Sequence, residues 1–67
     1  MKLQTFLNKF TGSYFLITVD GWCEEMPFSE YEEEKKMEYW KKFKDREIKS
    51  CCILTTNETP ELCITLK

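Results

Sequence analysis

Apolar residues recur at two different periods along this 67-residue chain, and each change of period marks an element. Leu3, Phe6, Leu7 and Phe10 stand at i, i+3, i+4 and i+7, one face of an amphipathic helix, with Gly12 placed to stop it in a left-handed cap. The spacing predicts a helix over about residues 2–10. Ser13 to Val19 is rich in aromatic and β-branched residues and reads as a strand. Asp20-Gly21 is suited to a two-residue hairpin turn. The return strand then runs from Trp22 to about Met26. Its Glu24 and Glu25 suit a sheet edge, and Pro27 ends it because proline cannot donate to a ladder.

The pattern then returns to the helical period. Ser29-Glu30-Tyr31-Glu32 has the form of a capping box. Glu30, Glu32, Glu33 and Glu34 occupy the first turns, and Lys41, Lys42 and Lys44 the last, an arrangement that complements the helix dipole. Glu32–Lys36 and Glu38–Lys42 are i, i+4 pairs. Met37, Trp40 and Phe43, with Tyr39 beside them, form the apolar stripe. A helix over about residues 29–44 is expected, with Tyr31 off its apolar face. Asp45 to Thr56 becomes apolar through Cys51-Cys52-Ile53-Leu54, a run buried on both faces if the strand is central. Asn57-Glu58-Thr59-Pro60 is turn chemistry. From Glu61 to Lys67, Leu62, Ile64 and Leu66 alternate with Cys63 and Thr65, and this strand closes a second hairpin. The expected fold is a single α+β domain, residues 1–67, in the order helix, hairpin, helix, hairpin. Two helices packed on one face of a small, mainly antiparallel four-stranded sheet would bury both stripes.

Composition adds constraints. The hydrophobic fraction is 42% and the charged fraction 33%, a globular balance. Domains this short have thin stability margins and often draw on disulfides, metals or self-association. Aromatics make up 15% of the chain, more large rings than one small core easily hides. No apolar run is long enough for a signal peptide or membrane span, and a cytosolic location is expected. Cysteines in that compartment stay reduced. Cys51 and Cys52 are also adjacent on a strand, with side chains on opposite faces. Cys23, Cys51, Cys52 and Cys63 are therefore expected as free, buried thiols with no zinc between them. Asn57-Glu58-Thr59 matches a glycosylation pattern but reads as a turn.

Catalysis finds little support. Histidine is absent, which removes the usual general base and the commonest transition-metal ligand. Two glycines cannot build a phosphate loop. No catalytic residue, cofactor or metal is expected. Three binding roles remain. Glu24, Glu25, Glu30, Glu32, Glu33 and Glu34 form an acidic stretch, with Trp22 and Tyr31 as aromatic anchors. Such a face could occupy the basic groove of a nucleic-acid enzyme in place of phosphates. A tiny, acidic, aromatic-rich, histidine-free chain also resembles in type the small reading frames of phages and mobile elements. The leading expectation is thus a non-enzymatic inhibitor of a host nucleic-acid-processing or defence enzyme, of the anti-CRISPR or anti-restriction kind. The first alternative is a structural or assembly protein acting as a homodimer. The second is a single-stranded nucleic-acid binder that uses Lys41 to Lys49, where Trp40, Lys41, Lys42, Phe43, Lys44, Arg46 and Lys49 interleave aromatics with positive charge. A net charge of −2 weighs against that reading.

Overall fold

A computed structural model describes residues 1–12, 14–55 and 58–67. The expected strand start at Ser13 and the turn residue Asn57 lie outside the described residues, as does Thr56. Helix α1 spans Leu3–Lys9 and buries Leu3 and Leu7, as its period requires. Its first turn is tied to the later chain: Leu3 N–H donates to Arg46 O (2.9 Å) and Gln4 N–H to Lys44 O (3.0 Å). The helix ends at Phe10, whose backbone is extended, so Gly12 is not its left-handed cap. Gly12 instead permits close approach, since a Cβ there would lie 2.5 Å from the Phe10 ring and 2.9 Å from Phe15.

Four strands follow: β1 (Leu16–Val19), β2 (Cys23–Pro27), β3 (Ile48–Leu54) and β4 (Glu61–Leu66). Their order in the sheet is β2-β1-β4-β3. The β1/β2 and β3/β4 pairs are antiparallel, whereas β1 and β4 run parallel, from Leu16 beside Glu61 to Val19 beside Ile64. The sheet is therefore mixed, because the two antiparallel pairs join through β1 and β4, which enter the sheet side by side in one direction. Trp22 N–H donates to Val19 O (2.9 Å) across Asp20 and Gly21, and Gly21 takes φ 81°. Val19 pairs with Cys23, so the connection has three residues rather than two.

Strand β3 is an edge strand, not the central one its apolar run implies. Ser50 to Leu54 are all exposed, and so Cys51 and Cys52 are not buried thiols. Strand β4 is the inner strand beside it, and its alternation delivers Leu62, Ile64 and Leu66 to the core.

The largest departure lies at residues 28–44. In place of one long helix there is a 3-10 turn at Phe28–Glu30, a short helix α2 at Tyr31–Glu34, and a second 3-10 segment at Glu38–Lys42. Met37, with ψ 143°, is extended and breaks the run. The cause is phase. Tyr31 and Trp40 are nine positions apart, which at 3.6 residues per turn places them on opposite sides of one helix. Both are core residues, 2% and 4% exposed, and the break turns both inward. Met37, expected in the stripe, is 50% exposed. The short segments also change the ion pairs to i, i+3: Glu32–Lys35 at 3.0 Å, Glu33–Lys36 at 3.5 Å and Glu38–Lys41 at 3.3 Å. Among the described residues no side-chain cap bond forms at either start, so the capping box is not used.

The core gathers Leu3, Leu7, Ile17, Val19, Met26, Leu62, Ile64 and Leu66 around an aromatic group of Trp22, Tyr31 and Trp40. Trp22 lies 4.5 Å from Trp40 and 6.3 Å from Tyr31, centroid to centroid. Among the described residues no helix is long and apolar enough to cross a membrane.

Candidate functional site: an acidic recess beside the β2 edge

Strand β2 carries a bulge. Ile17 pairs with Met26 and Val19 with Cys23, so Glu24 and Glu25 together face the single residue Thr18. Glu25 sits in the bulge at φ 46°, a left-handed conformation that costs a side-chain-bearing residue about 1–2 kcal/mol. Its N–H donates to Thr18 Oγ1 (3.1 Å), and the Thr18 hydroxyl donates to Glu61 Oε2 (2.9 Å). The parallel pairing of β1 with β4 makes this possible by setting Thr18 beside Cys63, two residues from Glu61. The Cys63 thiol also donates to Glu61 Oε2, at 3.1 Å. An open recess of about 430 Å³ is lined by Thr18, Glu24, Glu25 and Glu61.

The acidic stretch anticipated from sequence divides in two. Glu24, Glu25 and Glu30 are exposed and form no ion pair among the described residues. Glu32 and Glu33 are each paired with a lysine, and Glu34 accepts a hydrogen bond from the Tyr39 hydroxyl. Trp22 and Tyr31 are not exposed anchors. At 8% and 2% exposed they lie in the aromatic core, where their large rings supply apolar burial that so small a domain needs. The Trp22 indole Nε1 is buried with no hydrogen-bond partner among the described residues. At the basic end Trp40 is buried, Phe43 is partly buried against the core and Arg46 donates to Lys67 O (2.7 Å), while Tyr39 beside them is exposed.

Thr18, Glu61 and Cys63 were not marked by the sequence as site residues. They occupy the off-core positions of two alternating strands, and only the parallel β1/β4 register brings them together. Among the described residues no group of three or more His, Cys, Asp or Glu side chains is arranged to hold a metal ion.

All four cysteines are unpaired. Burial pushes the Cys23 thiol up to about 11, and the hydrogen bond to the Glu61 carboxylate does the same for Cys63. A raised thiol pKa suppresses the reactive thiolate. In native protein near pH 8, Cys51 and Cys52 are expected to alkylate quickly, and Cys23 and Cys63 slowly. In denaturant without reductant all four should be modified, as intact mass would show. Equal native rates at all four would contradict this environment for Cys23 and Cys63.

Glu25→Gly is expected to raise stability by about 0.5–1 kcal/mol, because relief of the positive φ outweighs glycine's larger unfolded-state entropy. Glu25→Val, β-branched in the same conformation, should lower it. The midpoints of urea unfolding at unchanged slope read both effects.

The chain matches no protein-family model, no curated protein and no solved structure. Its class rests on the architecture described above: an α+β protein with two helices and a four-stranded mixed sheet.

Proposed function

We propose that the chain is a non-enzymatic protein-binding module that presents the acidic recess to a basic surface on a partner. The observation that supports this most is the bonded series from Glu25 through Thr18 to Glu61. It holds a backbone conformation unfavourable for glutamate and sets three carboxylates, including Glu24, around one opening. Strain retained at an exposed polar position is characteristic of sites that use it. Unpaired negative charge favours encounter with a basic partner and discriminates against acidic ones. The basic groove of a nucleic-acid-processing or defence enzyme is the partner chemistry this suits best. The most concrete form of the reading is a phage or mobile-element inhibitor of the anti-CRISPR or anti-restriction type.

Two triple reversals test it, each first checked for an unchanged circular dichroism spectrum. One carries Glu24→Lys, Glu25→Lys and Glu61→Lys; the other carries Lys41→Glu, Lys42→Glu and Lys44→Glu. The acid reversal is expected to abolish capture of a partner from host lysate, the lysine reversal to preserve it, and added salt to weaken it. Loss of capture in the lysine reversal alone would transfer the working surface to the basic stretch from Lys41 to Lys49.

A further inference from the structure

The two edges of the sheet are built differently. At the β2 edge, the Glu24–Glu25 bulge and Pro27 interrupt the backbone row, the usual means of blocking further pairing. At the β3 edge the start is covered: Ile48 N–H donates to Met1 O (2.9 Å) and Lys2 forms a bridge with Glu47. Beyond it, Ser50-Cys51-Cys52-Ile53-Leu54 has no backbone partner on its outer side among the described residues. This stretch has no proline and no charge. Ile53 is 53% exposed and Leu54 44%. Long, uncharged, apolar edges are what soluble proteins avoid unless a strand covers them.

We propose that the occupant is a second copy of this chain, with Ser50–Leu54 pairing antiparallel to the same segment about a two-fold axis through Cys52. The free stretch is centred on Cys52, so this register uses all of it. Ser50 then meets the second copy's Leu54, Cys51 meets Ile53, and Cys52 meets Cys52. The nearest flanking charge, Lys49, falls opposite Thr55 rather than another lysine, so no like charges oppose each other across the strands. The net charge of −2 per chain adds little repulsion. Because the β2 edge is blocked, growth stops at two copies, giving one closed eight-stranded sheet instead of a filament. This inference does not rest on the acidic recess, although β4 lies between the two, with Cys63 paired to Cys52 and Glu61 to Leu54.

Sedimentation equilibrium of the full chain in reducing buffer, from micromolar to near-millimolar concentration, is expected to show a single monomer–dimer equilibrium at 8.1 kDa and twice that mass. Directly opposed residues in an antiparallel pair bring their Cβ atoms to about 4.5–5.5 Å, close to disulfide reach. Copper–phenanthroline, which takes up the two electrons as two thiols lose their protons, should therefore give a covalent dimer. Cys52→Ser should prevent that dimer, and Cys51→Ser should leave it. Cys52→Lys, at an exposed position, should fold normally and associate several-fold more weakly, since it sets two lysines face to face. A monomer at every concentration overturns the proposal. So does assembly beyond two copies, cross-linking through Cys23 or Cys63, or association unchanged in a folded Cys52→Lys variant.

Discussion

Trp40→Ala is expected to leave the protein largely unfolded at room temperature. Trp40 is 4% exposed and lies against both Trp22 and Tyr31. Truncating a buried tryptophan costs about 3–5 kcal/mol. A domain of this length commonly holds about 3–10 kcal/mol in all, at roughly 0.05–0.15 kcal/mol per residue. The loss is therefore comparable with the whole. The informative control is Met37→Ala. One continuous helix over 29–44 would bury Met37 and Trp40 on the same stripe, and both substitutions would be severe. With the chain extended at Met37 and its side chain half exposed, Met37→Ala should stay within about 0.5 kcal/mol of the parent. Urea unfolding of the two variants separates the architectures. Comparable losses would mean that the break at Met37 does not exist in solution.

The same segment shows where sequence reasoning succeeds and where it stops. Helix α1 is legible because all its signals agree: Leu3 and Leu7 recur at helical spacing and both are buried. Strand β4 is legible because Leu62, Ile64 and Leu66 alternate with less buried neighbours. Over residues 29–44 the local signals also agree with one another, in acids first, lysines last and a serine at the cap. They lose to a tertiary demand, the burial of two rings that lie half a turn out of phase. Nothing in the local pattern announces that Tyr31 is a core residue. In β3 the error has another source. An apolar run reads as buried on both faces, but hydrophobicity carries no information on whether a neighbouring strand exists to cover it. Strand order is likewise absent from local pattern, and so Glu24 and Glu25 could be anticipated as edge acids while Thr18 and Glu61 could not be placed beside them.

Tyr31→Ala is expected to be about as damaging as Trp40→Ala, and this tests the change in role from surface anchor to core. The Tyr31 ring stacks on Phe28 at 5.5 Å and meets Trp40 edge-on at 5.7 Å, with Lys35 Nζ 4.8 Å from its centroid. Its hydroxyl donates to Asn8 Oδ1 at 2.8 Å, joining the segment to α1. Removing the ring should cost about 3–5 kcal/mol. Tyr31→Phe keeps the packing and loses only the hydrogen bond, at about 0.5–1.5 kcal/mol. The parent and Tyr31→Phe also differ in alkali. Burial, with a contribution from Glu32, pushes the Tyr31 phenol from its ordinary 10.0 up to about 12. The folded state therefore holds the neutral form more tightly than the unfolded state does. This contribution to stability is complete below pH 10 and is lost as the pH rises through 12. Tyr31→Phe has no phenol to ionise at that position, so its stability should fall less steeply between pH 10 and 12. Cys23 and Cys63, also raised, retain part of the decline in the variant. Urea midpoints of parent and Tyr31→Phe measured across that interval should converge as pH rises. Parallel curves would place the Tyr31 hydroxyl in solvent, and a Tyr31→Ala variant as stable as the parent would return the whole side chain to the surface.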